Sequence, residues 1–337
     1  MMRTARLKAL SSFLPETVLS NETLAALYPG WTPQKIVEKT GVRERRIAAP
    51  GETAADLACG AAQRLFAETG LDPAGIDFLL LCTQAPDYIL PTTACLLQER
   101  LGLRQDCGAL DFNLGCSGFV YGLALAKGLI ETGAASRVLL LTADTYSRFI
   151  HPGDKSVRTL FGDGAAATLV EAVEADHAMI GPFVFGTDGR GGPNLIVAAG
   201  AARRERDAAS AVEMIDESGN VRSLDNLYMN GGAIVSFTLK TVPEAVGKLL
   251  AAAGLAMDDI DLFVFHQASA FILERLRRKI GIRPERFVVE LESCGNTVSS
   301  TIPIALERQV GQPSGDRTAM LVGFGVGYSW AAACVRF

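Results

Sequence analysis

The chain has 337 residues, of which 49% are hydrophobic and 20% charged. This composition is typical of a globular protein of about two domains at ~150 residues each, and it excludes a mainly disordered chain. Asp and Glu number 37 against 32 Lys and Arg, which gives a net charge of −5 and argues against a dedicated nucleic-acid binder.

Short apolar runs alternate along the chain with stretches of helical periodicity. The runs are nearly continuous in Leu, Val, Phe and Ala, which predicts strands that are buried on both faces. Gly70, Gly133 and Gly254 stand where helix C-caps are expected, and the alternation as a whole predicts an α/β fold. In chain order, the predicted elements are a helix over 53–69, a strand over 78–82, a helix over 119–132, strands over 138–141 and 166–170, a helix over 241–253, and strands over 262–265 and 319–322.

The second half of the sequence repeats the first. Residues 75–85 read GIDFLLLCTQA and residues 259–268 read DIDLFVFHQA. Asp77 therefore corresponds to Asp261, an offset of 261 − 77 = 184 residues. So long an offset predicts a duplicated α/β unit and not a solenoid, whose period would be ~20–50 residues.

The duplication divides the chain into two predicted domains. The first covers 1–172 and contains the candidate nucleophile described below, and the second covers 173–337. Within the second domain, the segment 188–225 is rich in Gly, Ala, Arg and Asp and is predicted to be an exposed loop.

Nothing in the sequence predicts a membrane or secreted protein. No apolar run reaches the ~18 residues that a membrane span needs, and residues 1–14 lack the continuous apolar stretch of a signal peptide. The seven cysteines are odd in number and mostly lie in apolar runs, which favours a reducing cytoplasm over a disulfide framework. With three histidines and no CxxC pair, no metal site is predicted.

Cys116 is the first candidate functional residue. It lies in the sequence NLGCSGF, between an apolar strand and a helical pattern, and the small residues on both sides allow a sharp strand-to-helix turn. At the N-terminus of a helix, the dipole and free N–H groups would stabilise a thiolate nucleophile. The alternative is a buried, inert cysteine.

His266 and Asn296 are the candidate partners of that nucleophile. His266 follows the predicted strand 262–265, and α/β folds place ligands at the carboxyl ends of strands. Asn296 lies in the second repeat, near the position that Cys116 takes in the first. The alternatives are a capping or core histidine and a helix N-cap asparagine.

Two glycine-rich segments follow predicted strands. Residues 162–167, GDGAAA, fit the pattern G-x-G-x-x-A, but the next residues read as a strand, so a dinucleotide-binding loop is rejected. The turn formed by Gly325, Val326 and Gly327 is predicted to present backbone N–H groups to an oxyanion.

Taken together, these segments resemble the thiolase-fold ketoacyl synthases, and most closely the 3-oxoacyl-ACP synthase III family. The resemblance covers nearly the whole chain. It rests on several ordered motifs: GVRERRIA from Gly41, CSGF from Cys116, FGDGA from Phe161, HQA from His266 and GNT from Gly295. It implies a thiolase-like fold with a duplicated five-layer α-β-α-β-α architecture.

The resemblance also implies a mechanism. Cys116 would be acylated by a thioester primer. Malonyl-ACP or malonyl-CoA would then decarboxylate, with its enolate oxygen held by His266 Nε2 and Asn296 Nδ2, and the carbanion would attack the acyl group to give a 3-oxoacyl thioester. The family implies no cofactor other than thioesters of coenzyme A or of the phosphopantetheine of acyl carrier protein, which serve as substrates, and it implies a homodimer.

The remaining residues that the resemblance assigns are an acyl pocket and a thioester-binding surface. The acyl pocket would include Leu90, Phe161 and Phe324, with the segment 88–91 lying near the partner's pocket. Contacts to coenzyme A or to the carrier protein are assigned to Lys35, Lys39, Lys155 and Ser269, at each of which this chain departs from the usual family residue.

The departures leave the acyl donor and the pathway open. Lys35 stands where well-known members carry a tryptophan, and Lys39 and Lys155 stand for arginines. One alternative function is an acyltransferase that moves an acyl group from Cys116 to an alcohol or amine without condensation. Another is a non-catalytic subunit that pairs with an active homologue.

Overall fold

The computed structural model describes residues 1–313 and 315–337. The strands are β1 (Met2–Phe13), β2 (Val18–Ser20), β3 (Glu44–Arg46), β4 (Phe78–Cys82), β5 (Gly108–Phe112), β6 (Arg137–Asp144), β7 (Gly164–Ala175), β8 (Ile180–Thr187), β9 (Leu195–Val197), β10 (Met214–Ile215), β11 (Val221–Arg222), β12 (Leu227–Met229), β13 (Leu262–Phe265), β14 (Thr318–Gly325) and β15 (Ser329–Arg336). The α-helices are α1 (Asn21–Leu27), α2 (Pro33–Thr40), α3 (Ala54–Thr69), α4 (Thr93–Arg100), α5 (Gly118–Glu131), α6 (Lys155–Arg158), α7 (Gly231–Ala253), α8 (Ala270–Ile280) and α9 (Thr301–Val310).

Two mixed sheets carry the structure. The first has five strands in the order β1-β7-β6-β4-β5, with β4 parallel to both of its neighbours, and the second has four in the order β13-β14-β15-β8, with β13 parallel to β14. The central strands β4 and β6 are buried almost throughout, as their continuous apolar sequences predict.

The helices form three layers around the two sheets. Helices α5 and α9 pack against strands of both sheets and therefore lie between them. Helices α3 and α4 cover the outer face of the first sheet, and α7 covers the outer face of the second with α8 packed against it. Three apolar cores fill the spaces between these layers. The predicted duplicated five-layer α/β architecture is confirmed.

The repeat is visible in hydrogen bonds as well as in sequence. Asp77 donates its N–H to the Arg137 carbonyl at 3.0 Å and accepts from the Arg137 N–H at 3.0 Å. Asp261 makes the same pair of bonds with Thr318, at 2.9 and 2.8 Å. In each half, one aspartate therefore closes the start of the parallel strand pair.

Two predicted elements differ from the structure. Helix α7 begins at Gly231, ten residues earlier than predicted, because Asn230 caps it by accepting from the Ala233 N–H. The segment 188–225 is largely exposed, but it also contains β9, whose Leu195 is buried. None of the helices within residues 1–313 and 315–337 has the length and hydropathy to cross a bilayer.

Candidate active site

Cys116 lies in a tight turn between β5 and α5, two residues before the helix begins. The glycines predicted to allow this turn are needed because a larger side chain would clash with neighbouring side chains. A Cβ at Gly118 would lie 2.2 Å from Cys82 Sγ, and one at Gly115 would lie 2.6 Å from Gln84 Oε1. The glycines therefore allow the turn to pack closely against Cys82 and Gln84, and this packing fixes the backbone of Cys116.

The hairpin turn after β14 lies against the sulfur of Cys116. A Cβ at Gly325 would stand 2.7 Å from Cys116 Sγ, so only glycine fits there. The Val326 N–H is near enough to the sulfur to lower the pKa of the Cys116 thiol. A Cβ at Gly327 would instead meet Ser329, so Gly325 and Val326 are the residues of the predicted oxyanion turn that lie against the sulfur.

The electrostatics of Cys116 differ from the sequence-based expectation of a stabilised thiolate. The side chain is 5% exposed, and burial raises the pKa of its thiol to about 12, whereas the Val326 N–H lowers that pKa by a smaller amount. Desolvation therefore outweighs the effect of the nearby Val326 and Cys116 N–H groups. The free cysteine is a thiol at neutral pH, and it must lose its proton during the reaction.

His266 follows the end of β13 and is held at both its backbone and its ring. Its N–H donates to the Val322 carbonyl at 2.8 Å, and its Nδ1 lies 2.7 Å from Thr301 Oγ1. The ring is 2% exposed, and burial lowers its pKa to about 3, so the imidazole is neutral. The ring edge also packs against Phe324, at 5.5 Å between centroids.

Asn296 is fixed with its amide nitrogen towards His266. Its Oδ1 accepts from the Val298 N–H at 2.9 Å, which determines the orientation of the amide. Its Nδ2 lies 3.4 Å from His266 Nε2 and 3.4 Å from the Ala268 carbonyl oxygen. A short 3-10 helix begins at Val298 with Thr297 as its N-cap, and α9 begins at Thr301 with Ser300 as its N-cap, so the alternative that Asn296 is a helix N-cap is wrong.

One cavity of about 230 Å³ joins these side chains. Besides Cys116, His266 and Asn296, its lining includes five residues expected from the sequence: Lys39, Phe161, Ser269, Phe324 and Gly325. The cavity is therefore apolar on its walls, with a nucleophile and two nitrogen groups facing inward, which is the usual composition of a small-molecule site.

Three of the residues assigned to the acyl pocket and to the thioester contacts do not line this cavity, and neither do Val326 and Gly327 of the predicted oxyanion turn. Leu90 is 79% exposed. Lys35 Nζ donates to the Gly30 carbonyl at 2.9 Å, and Lys155 Nζ donates to the Ser218 carbonyl at 2.6 Å beside a neighbouring cavity. These residues therefore lie around the site instead of in it.

Trp31 lines the cavity and was missed by the sequence analysis. The ammonium groups of Lys35 and Lys39 lie 5.4 and 5.7 Å from the centroid of its ring. Two features of the sequence could have indicated Trp31: it is one of only two tryptophans, and it precedes Lys35 by four residues. The ring forms an aromatic surface flanked by two cations.

Asp144 is a second residue that the sequence analysis missed. It is fully buried, and its carboxylate accepts from the Gln84 N–H at 2.8 Å and from the Ser299 hydroxyl at 2.5 Å. Burial raises its pKa to about 7, although these hydrogen bonds act in the opposite direction. Because Asp144 ends β6 and Ser299 precedes α9, this bond joins the two halves behind the nucleophile.

Comparison with known proteins assigns the family. Residues 110–189 match the model of 3-oxoacyl-[acyl-carrier-protein (ACP)] synthase III, and residues 250–337 match the model of its C-terminal region. The chain is 33% identical, over 97% of its length and 96% of the relative, to beta-ketoacyl-[acyl-carrier-protein] synthase III of Caldanaerobacter subterraneus subsp. tengcongensis. The chain belongs to the 3-oxoacyl-ACP synthase III family.

Solved structures of this family agree closely with the fold. A crystal structure of a 3-oxoacyl-(acyl-carrier-protein) synthase III is 58% identical, with a TM-score of 0.97 over 99% of this chain and all of that one. The 3-oxoacyl-(acyl-carrier protein) synthase of Burkholderia xenovorans LB400 is 39% identical, with a TM-score of 0.90 over 99% of this chain and 95% of that one. The fold is thus the thiolase fold, and the chain is a condensing enzyme of the acyltransferase class.

Proposed function

We propose that this chain condenses an acyl primer carried on Cys116 with a malonyl thioester, using His266 and Asn296 to hold the enolate. The observation that carries the proposal is the single cavity lined by a cysteine, a neutral imidazole and a fixed carboxamide. In this proposal the half 1–172 supplies the nucleophile, and the half 173–337 supplies both donors.

In the first half-reaction, the sulfur of Cys116 attacks the carbonyl carbon of an acyl thioester. The S–H bond of Cys116 and the thioester C–S bond break, a new C–S bond forms, and the leaving thiol takes up the proton. In this proposal the Val326 N–H, which lies near the sulfur, donates to the oxyanion. Loss of such a donor typically costs ~10²–10³ in rate.

In the second half-reaction, the malonyl thioester loses carbon dioxide and becomes an enolate. Asn296 Nδ2 and His266 Nε2 are 3.4 Å apart, so that one enolate oxygen at the apex of a triangle with these two nitrogens can accept a hydrogen bond from each. The enolate carbon then attacks the acyl group on Cys116. The cysteine leaves as a thiolate and takes a proton from solvent, and the product is a 3-oxoacyl thioester. This chemistry invokes no cofactor.

The entrance of the cavity supports a thioester of coenzyme A as the acyl donor. Trp31 offers a ring face to an adenine base, and Lys35 and Lys39 beside it carry the positive charge that phosphates require. Lys155 and Arg158 add positive charge to the adjoining cavity. The same charges suit an acidic carrier protein as the malonyl donor.

We also propose that the active form is a homodimer in the cytoplasm. Ile89 and Leu90 are 96% and 79% exposed and adjacent in sequence, and such an apolar surface is suited to burial by a second copy. The seven cysteines are all free, which suits a reducing compartment. Sedimentation of the wild type and of Leu90→Asp would test the dimer.

Measurement of carbon dioxide release separates condensation from simple acyl transfer. We expect the acylated enzyme to release labelled carbon dioxide from carboxyl-labelled malonyl thioester and to form a 3-oxoacyl thioester in equal amount. Acyl transfer to an added alcohol or amine without carbon dioxide would instead support the acyltransferase alternative. Absence of any acyl group on Cys116 would support the non-catalytic subunit.

A further inference from the structure

Thr301 is a buried hydroxyl group in contact with the candidate histidine. It is the first residue of α9 and is 3% exposed. Its Oγ1 lies 2.7 Å from His266 Nδ1 and 3.1 Å from the Val298 carbonyl oxygen. A threonine hydroxyl has one proton to donate, so it can donate to the histidine or to the carbonyl, but not to both.

Building on the proposed function, the enolate site limits which tautomer of His266 can work. The ring is neutral and therefore carries one N–H. To donate to an enolate oxygen beside Asn296, that proton must be on Nε2, which leaves Nδ1 bare and in need of a donor. Among the described side chains, Thr301 is the one hydroxyl placed on Nδ1.

The other orientation of the hydroxyl gives the opposite tautomer. When Thr301 donates to the Val298 carbonyl, its oxygen accepts a hydrogen bond from Nδ1–H. Nε2 is then bare, and the amide of Asn296, at 3.4 Å, can donate to it. This arrangement gives both ring nitrogens of His266 a hydrogen-bond partner, but it would place a lone pair where the enolate oxygen has to bind.

Val298 contacts both Asn296 and Thr301, and so it links the orientation of the amide to the choice of histidine tautomer. It has a φ of +57°, which a β-branched residue rarely adopts. In this conformation its N–H orients the amide of Asn296, and its carbonyl faces the hydroxyl of Thr301. Val298 thereby orients the amide of Asn296 through its N–H, and its carbonyl oxygen competes with His266 Nδ1 for the hydroxyl proton of Thr301.

We propose that Thr301 is a positioning residue that selects the tautomer of His266: its hydroxyl donates to Nδ1 during condensation and leaves the proton on Nε2 for the enolate oxygen. Without the hydroxyl, the Val298 carbonyl would be the remaining polar neighbour of Nδ1. Because a carbonyl can only accept, the proton would stay on Nδ1.

The matched variants Thr301→Val and Thr301→Ser test the proposal. Thr301→Val keeps the shape and removes the hydroxyl, and we expect decarboxylation of malonyl-CoA to fall by ~10²–10⁴, the range seen for a lost oxyanion donor or a wrong histidine tautomer. Acylation of Cys116, followed by intact mass, should stay within a few-fold of the wild type. Thr301→Ser should restore decarboxylation.

A spectroscopic readout distinguishes tautomer choice from a merely structural role. The chain contains three histidines, so nitrogen-15 spectra of histidine-labelled protein can resolve His266. With a non-decarboxylating malonyl-CoA analogue bound, we expect the proton on Nε2 in the wild type and on Nδ1 in Thr301→Val. A proton on Nδ1 in the wild-type complex would overturn the proposal even if the valine variant failed to fold.

Two further outcomes have separate meanings. Wild-type rates of decarboxylation in a folded Thr301→Val enzyme would refute the role of Thr301 while leaving the condensing activity intact. Normal condensation by Asn296→Ala, measured in the same assay, would refute the proposed enolate site itself, and the inference about Thr301 would be refuted with it.

Discussion

The two turns that form the site are built in different ways. The turn that carries Cys116 is packed by glycine and apolar side chains, and the Val326 N–H lies near its sulfur. The turn that carries Asn296 is held by hydrogen bonds: the Val298 N–H donates to Asn296 Oδ1, and Thr301 Oγ1 lies 3.1 Å from the Val298 carbonyl oxygen. Both turns stand at equivalent places in the two halves.

This difference follows from the chemistry proposed for each turn. A nucleophile has to form and break a covalent bond, so its sulfur needs an open approach and an oxyanion donor more than a fixed direction. Donors to an enolate act only at the correct angle and distance, so their side chains need partners that prevent rotation. The same fold thus packs a reactive sulfur among apolar groups in one half and orients two donors with hydrogen bonds in the other.

The Cys116 turn can be disabled chemically without disturbing its packing. We expect Cys116→Ala to abolish acylation and condensation, since loss of a catalytic nucleophile costs about 10⁶ in a serine protease. Stability should hardly change, because alanine fits the same space. The matched control is Cys59→Ala, a buried cysteine of α3 outside the cavity. Retention of a covalent acyl group by Cys116→Ala would show that another residue is the nucleophile.

The buried, neutral His266 should lower the stability of the folded protein in acid. His266 has a pKa of about 3 when folded against 6.5 for an ordinary histidine, so the unfolded chain binds a proton between these values and the folded one does not. The contribution of His266 to the free energy of unfolding should therefore fall as the pH drops from 6.5 towards 3, by up to ~5 kcal/mol, whereas the raised pKa of Asp144 acts in the opposite direction below about pH 7. Above pH 6.5 this contribution is constant.

Urea unfolding at several pH values measures this effect. The exposed His177 provides the control, because His177→Asn should keep the acid sensitivity of the wild type. His266→Asn should lose much of it. An equal pH dependence in His266→Asn and the wild type would contradict the assignment of a buried neutral imidazole.

The packing of the Cys116 turn can be tested with a single added methyl group. A Cβ at Gly325 would stand 2.7 Å from the sulfur, so Gly325→Ala should cost about 1–3 kcal/mol of stability and lower the acylation rate. Gly128→Ala, in α5, is the control, because its Cβ would meet nothing within 4 Å. It should be neutral or stabilise by up to ~1 kcal/mol. Equal behaviour of the two variants would argue against close packing at Gly325.

The smallest expected effect is at the entrance of the cavity. Trp31→Ala should raise the KM for an acyl-CoA about 5- to 10-fold and leave kcat unchanged, which corresponds to about 1 kcal/mol of lost contact. Trp31→Phe, which keeps a ring face, should recover most of the affinity. An unchanged KM in Trp31→Ala would indicate that the coenzyme binds elsewhere.

Much of this arrangement could be predicted from the sequence, for identifiable reasons. The buried strands β4 and β6 could be predicted from their continuous apolar runs. The 184-residue offset between Asp77 and Asp261 indicates the duplication. Cys116 and His266 could be chosen because each follows a predicted strand. Asn296 could be chosen because it lies in a turn of small residues, near the position in the second repeat that Cys116 takes in the first.

Other features depend on contacts that no local pattern encodes. Burial of Cys116 reverses the expected direction of its pKa shift, because desolvation is set by residues distant in sequence. Trp31 reaches the cavity through the path of the chain before α2, and Thr301 meets His266 across 35 residues. The positive φ of Val298 could not be expected from a β-branched residue.

One measurement addresses the central claim most directly: the intact mass of Asn296→Ala after incubation with an acyl-CoA, followed by a chase with malonyl thioester. The enolate site proposed here predicts full acylation of Cys116 and an acyl mass that persists through the chase, whereas the wild type loses the acyl group and releases a 3-oxoacyl thioester. Discharge of the variant at the wild-type rate, with carbon dioxide released, would contradict the claim that Asn296 holds the enolate.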